Sequence, residues 1–197
     1  MKTNTLLVAV ALWLLPTVQS LAAQGGSGST PWYTVEVVLF TRNTSPGASG
    51  EVWSKAAGEL NWESERVTDY ATVPQGSWRL TGAKQALKRA GGLTPIIHTA
   101  WQQPVYGRKS ARSSYLKSDR EITPGTPLVE GMVKVSVSRY LHVNLDLLLR
   151  GAPAGANRLA GGFQTFRFDE HRRMRSRELH YIDHPLMGML ILITPVN

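Results

Sequence analysis

Two histidines and an aspartate stand within five residues in His180-Tyr181-Ile182-Asp183-His184, and imidazole with carboxylate is a common zinc set. Strand alternation would put His180, Ile182 and His184 on one face and Asp183 on the other, with a turn beginning at Pro185. No HExxH or comparably spaced motif supports a metal, so the favoured reading is structural, with Asp183 capping the turn. A second feature is Arg139, a charge in the apolar register of a long alternating run. A buried guanidinium needs a carboxylate or carbonyls, and Glu178 and Asp183 are the natural partners for a structural ion pair. A third is a basic and aromatic set comprising Tyr140, His142, Arg173, Arg175, Arg177 and Tyr181. Aromatic rings suit apolar sugar faces, and arginine forks suit carboxylates.

Catalytic chemistry is poorly provided for. Acidic residues are few and scattered, whereas glycan hydrolysis requires two facing carboxylates. The chain has no cysteine, no G-x-S-x-G or S-x-x-K acyl-transfer motif, and no G-x-x-x-x-G followed by Lys-Ser/Thr to cradle phosphate. We expect a non-enzyme with no catalytic residue, no metal and no cofactor.

The elements that position these residues centre on Gly131 to Arg150. From Val133 to Leu149 every odd position except 139 is apolar and the even ones are mostly polar, the period of a strand with one face on a core. A two-residue hairpin would switch the apolar set from odd to even positions. No switch occurs, and Ser138-Arg139-Tyr140 lacks Gly, Asn, Asp or Pro to make a turn. The expectation is one long, bent strand at the centre of a sheet. Trp32 to Arg42 reads as an interior strand, Leu80 to Ala90 as a helix capped by Thr81, Leu93 to Trp101 as a strand, and Met189 to Thr194 as a buried strand. Phe163 to Tyr181 reads as extended but polar, and Gln102 to Pro127 as a long loop or weak edge. Trp53, Leu60 and Trp62 are expected either to pack in a core or to form an exposed ligand platform. The fold class is α+β, a mostly antiparallel, mixed sheet with a helix on one face.

Residues 1–22 read as a signal peptide: Lys2, an apolar Leu6–Leu15, Pro16 and the small residues Ser20 and Ala22. That run is too short to span a bilayer, which takes about 20 residues, and no other segment is long enough. Residues 23–31 form a Gly/Ser linker and 32–197 a single domain. The expected location is periplasmic without a lipid anchor, because there is no cysteine to carry one. The net charge is +8 for the full chain. An exported basic protein meets anionic envelope material rather than nucleic acid.

Four blocks together carry a family resemblance: YTVEVVLFTR, GGLTPIIHTAWQQP, GMVKVSVSRYLHVNLDLLLR and HRRMRSRELHYIDHPLMGMLILITP. They are similar to the CsiV family of periplasmic peptidoglycan-binding proteins of Gram-negative bacteria. SRYLHVNLDL and RRMRSRELHYIDHPLMG are the specific parts, and Asn43 to Ser77 and Arg108 to Pro127 are left largely unmatched. The resemblance implies a peptidoglycan partner. It also implies support of wall synthesis by a class A penicillin-binding protein, through that enzyme's lipoprotein activator. It supplies no contact residues, so Tyr140, His142, Arg173, Arg175, Arg177 and Tyr181 stand as the peptidoglycan-binding candidates on chemistry alone. The alternative is a metal-assisted hydrolase of envelope polymer using His180, Asp183 and His184.

Overall fold

A computed structural model describes residues 30–53, 57–62, 65–151 and 162–196. The signal-peptide expectation for 1–22, most of the linker and the Gly-rich 152–161 lie outside the described residues. Ten strands and, among the described residues, one α-helix form the fold: β1 (Trp32–Arg42), α1 (Thr81–Arg89), β2 (Leu93–Pro104), β3 (Ser113–Lys117), β4 (Glu121–Thr123), β5 (Thr126–Pro127), β6 (Val129–Val137), β7 (Leu141–Gly151), β8 (Gln164–Met174), β9 (Leu179–His184) and β10 (Met187–Pro195). Two four-stranded antiparallel sheets result, ordered β2-β1-β10-β9 and β3-β6-β7-β8, with β4-β5 a small separate ribbon. The α+β expectation holds in its coarse form, as mainly antiparallel sheet with one helix.

The expected single long strand is instead the β6–β7 hairpin. Val137 pairs with Leu141, so Ser138-Arg139-Tyr140 is a three-residue connection. An odd loop preserves parity, which is why the alternating pattern runs through it unbroken; the parity argument excludes only loops of even length. Arg139 therefore has no core position. It is exposed at the hairpin tip, its guanidinium carbon 5.8 Å from the Tyr140 ring centroid. The expected core pair with Glu178 or Asp183 does not form: Glu178 lies 3.8 Å from Arg175, and Asp183 lies 2.6 Å from Arg42.

The inner faces of the two sheets make one core. Val35, Val37 and Leu39 of β1 and Met189, Ile191 and Ile193 of β10 pack with Val133, Val135, Val143, Leu145 and Leu147 of the hairpin and Phe166 and Phe168 of β8. β1 is buried on both faces. Its outward residues Glu36, Val38 and Phe40 are 3%, 0% and 3% exposed, in keeping with an interior strand. On that outer face α1 packs against β2. No side chain of Leu80 or Thr81 caps the helix. Glu36 performs the task from the sheet, accepting from the amides of Arg79 and Leu80 at 2.8 Å each while His98 Nε2 lies 2.9 Å from the same carboxyl. A buried carboxylate satisfies donors that a local cap would otherwise take.

Both sides of the sandwich are bridged. At one side the turn from β8 to β9 carries the chain from sheet to sheet. At the other, residues 65–73 form a strap. Thr68 N donates to Ser113 O beside β3 at 2.8 Å, and Val73 N donates to Ala100 O on β2 at 2.9 Å. Isolated bridges link Thr68 to Ser114 and Thr72 to Trp101. The strap thus covers both edge strands and blocks edge-to-edge pairing there. Glu65 anchors its start, with Ser113 Oγ and Lys134 Nζ each at 2.9 Å.

Candidate functional site

The strap overhangs a cleft of about 1380 Å³ between β2, β3, α1 and the strap. Its walls mix rings (Trp62, Tyr70, Trp78, Tyr115) with charged groups (Asp69, Lys84, Lys117, Asp119). Trp62 and Tyr115 stand at its mouth, 40% and 38% exposed, with ring centroids 5.2 Å apart and planes at 75°. Each is held from behind. Leu60, two residues before Trp62, is buried against Met132 and Leu148 on the outer face of the hairpin sheet. Tyr115 points outward because β3 alternates, with Leu116 inward. Its hydroxyl donates to Glu130 at 2.8 Å, and Arg150 hydrogen-bonds that carboxylate while donating to Pro127 O at 3.0 Å. Burial, and then the Glu130 carboxylate, push the Tyr115 phenol up to about 12. The ring is a fixed, neutral platform at any physiological pH. A large aromatic pair left open beside a polar-walled cleft is the unusual observation, since exposed apolar patches on a folded surface usually mark contact sites.

The sequence reading treated Trp53, Leu60 and Trp62 alike, and they part company. Trp53 is half-buried against Phe166, with ring centroids 5.0 Å apart, and Leu60 is buried; of the three only Trp62 stands exposed. Tyr115 and Trp78 were missed altogether. The outward Tyr115 and Lys117 flanking inward Leu116 are the signal that could have found the former.

The basic and aromatic candidates divide between two places. Tyr140, His142 and Arg173 come together at the tip end of the β6–β7 hairpin, on the outer face of its sheet. The Arg173 guanidinium carbon sits 4.7 Å from the Tyr140 ring centroid, a cation–π distance. His142 pairs with Arg173 across the strands. Its Nε2 lies 3.2 Å from Ser138 Oγ and its Nδ1 3.0 Å from His171 Nε2, with the two imidazoles stacked at 6°. The other three do not join them. Arg175 lies beside Glu178. Arg177 occupies a turn at φ 66 and donates its amide to Ile193 O. Tyr181 lies on the outer face of the other sheet, stacked on Phe40 and hydrogen-bonded to Arg42 and Asp183.

The histidine–aspartate cluster does not converge. Asp183 faces outward to Arg42 and Tyr181; the Tyr181 hydroxyl first, and then Arg42, hold its carboxyl below the ordinary range. His184 faces inward between Trp53 and Phe168, with ring centroids at 5.5 and 4.9 Å, and burial depresses its pKa. Among the described residues no three His, Cys, Asp or Glu side chains are grouped to hold a metal. Strand alternation sets Asp183 on the opposite face from His180 and His184.

Desolvation, followed by the charges of His171, Arg108 and Arg173, holds His142 below the ordinary histidine value. An NMR titration of His142 should therefore show a midpoint under about 6.5. Arg173→Ala should raise it; a midpoint unchanged by that variant would mean the two groups do not sense each other.

No curated protein and no solved structure matches the chain. The family model described as "Peptidoglycan-binding protein, CsiV" matches residues 5–196. The match takes in 43–77 and 108–127, which lie largely outside the four resembling blocks and supply the strap, Trp62 and Tyr115. The chain belongs to the CsiV family of peptidoglycan-binding proteins.

Proposed function

We propose that the protein is a non-catalytic, periplasmic peptidoglycan binder whose glycan lies in the strap cleft, across the Trp62–Tyr115 ledge. The observation that carries this reading is the pre-set, exposed pair of perpendicular rings at the cleft mouth. A pyranose presents an apolar C–H face that packs on such rings, while its acetamido and hydroxyl groups need donors and acceptors at the rim. Lys84, Lys117, Asp69 and Asp119 stand where they can supply them. Fixing Tyr115 through Glu130 and Arg150 lowers the ordering cost of binding.

Asp69 and Asp119 are both exposed. A glycosidase general acid is held protonated by an apolar site, and neither residue has one, so turnover of wall fragments is not expected. Secretion with cleavage of residues 1–22 follows from the leader, and the domain begins at residue 32. Support of a class A penicillin-binding protein through its lipoprotein activator rests on the family resemblance alone.

Calorimetric titration with soluble disaccharide-peptide fragments tests the site. Trp62→Ala should weaken binding by about 2 kcal/mol, roughly thirtyfold, as for a central aromatic anchor. Tyr115→Phe, which keeps the ring but loses the Glu130 hydrogen bond that fixes it, should weaken binding less than Trp62→Ala does. Equal affinity of Trp62→Ala and the parent would remove the ledge from the site.

A further inference from the structure

We infer that the tip end of the β6–β7 hairpin is a second, anion-reading site, and that its ligand is a carboxylate of the wall's stem peptides. The inference rests on the peptidoglycan reading above but uses a different part of the molecule.

The geometry is that of cations gathered without a counter-ion. The guanidinium carbons of Arg139 and Arg173 lie 5.8 and 4.7 Å from one ring, that of Tyr140. Arg108 is close enough to bear on His142. Among the described residues no carboxylate lies within ion-pair distance of Arg108, Arg139 or Arg173, although Arg42, Arg150, Arg167 and Lys134 each have one. Of the acids on this sheet face, Glu65 is taken by Lys134 at 2.9 Å, and Asp146 and Asp169 stand opposite one another two pairs further down β7 and β8. Asp146 is already taken by a two-pronged contact from Arg167 at 2.8 and 2.7 Å.

Both exposed guanidinium groups lie beside the Tyr140 ring without a carboxylate partner among the described residues. The ring orients them, and they keep donors free for a planar, two-oxygen acceptor. The hydrogen-bonded Ser138, His142 and His171 beside them add neutral polar groups, as expected of a site that receives a hydrated headgroup rather than an apolar one. Stem peptides end in carboxylates and branch from the same strand whose sugars the ledge would hold. An anion site on the hairpin sheet, apart from the cleft, therefore fits a polymer bearing both chemistries.

The test compares retention on intact sacculi with retention on sacculi whose stem peptides have been removed by an amidase and whose freed lactyl carboxylates have been capped as methylamides, leaving bare glycan without carboxylates. The Arg139→Ala/Arg173→Ala variant should lose about tenfold in affinity for intact sacculi, the worth of one charge-assisted contact. It should match the parent on bare glycan. The Trp62→Ala variant should lose on both. A double-arginine variant that binds intact sacculi like the parent overturns the inference and leaves the ledge reading standing, as does an equal loss on bare glycan. Loss confined to vesicles carrying phosphate headgroups, with sacculus retention unchanged, would assign the patch to phosphate and equally overturn it. A parent protein retained by neither form of sacculus overturns both readings together.

Discussion

Glu36→Ala is expected to destabilise the domain by about 3–5 kcal/mol, the cost of breaking a buried, hydrogen-bonded charged cluster. Glu36 is 3% exposed and serves three groups at once: the amides of Arg79 and Leu80 and the ring of His98. Water replaces the lost acceptor poorly for two of the three, because Leu80 is 4% exposed and the His98 side chain 2%. Those two orphaned donors then bear most of their desolvation penalty. The helix start is the part that loosens, since α1 has no side-chain cap of its own. Trp78, packed 4.4 Å from His98 on the cleft wall, moves with it, so affinity for wall fragments should fall alongside stability. Glu36→Gln keeps one acceptor oxygen and should lose less. Urea unfolding measures both, and a loss under about 1 kcal/mol for the alanine variant would show that local contacts, not Glu36, hold the helix start.

Gly131→Ala should be worse tolerated than any other single methyl addition in the hairpin. At φ +156 the residue is in a region L side chains rarely adopt, and a Cβ there would come 2.1 Å from Asp146 O and 2.6 Å from Leu147 Cα. Those are backbone atoms of β7, held by an unbroken pairing from Val129–Leu149 to Val137–Leu141, so no side chain can turn aside to make room. Overpacking of this kind costs about 3 kcal/mol or more, which lowers Tm by roughly 6–12 °C in a domain of this size. Thermal unfolding of the purified variant checks it. A Tm within about 2 °C of the parent would mean that β6 and β7 do not approach as closely as described.

These two positions also show what could be read in the sequence and what could not. β1 was legible to both ends, because β-branched and aromatic residues fill Trp32–Arg42 and a loop-forming Asn-Thr-Ser-Pro follows. The hairpin's alternation was equally legible, yet its fold-back was not: a three-residue loop leaves parity intact, and Ser138-Arg139-Tyr140 carries no turn residue to betray it. Arg139 was misread for the same cause, since a register argument assigns every residue a face and a loop residue has none. Glu36 looked like an ordinary outward position on a strand; its task depends on residues 79 and 98, which only the tertiary fold brings near.

The candidate site was half visible. His142 and Arg173 meet because they pair across β7 and β8, and Tyr140 joins them from the loop just before β7. Tyr181 leaves them because the chain changes sheets between Met174 and Leu179, a step that polar composition does not announce. The ledge was least legible. Trp62 and Tyr115 come from segments more than fifty residues apart, and they meet because Leu60, buried against Met132 and Leu148, seats Trp62 beside β3. Long-range pairing of this kind has no local signal.

The central claim is that a shaped aromatic ledge, rather than a net positive charge, holds the cell wall. Retention of the purified domain on isolated sacculi, followed as salt is raised from low to moderate ionic strength, tests it most directly. Screening shortens the reach of exposed charges to about 8 Å at physiological salt, whereas stacking of sugars on Trp62 and Tyr115 is indifferent to it. The account predicts that the parent stays bound through moderate salt and that Trp62→Ala is released. Complete loss of the parent over the same range, with Trp62→Ala eluting alongside it, would contradict the account and reduce the interaction to a basic protein on an anionic polymer.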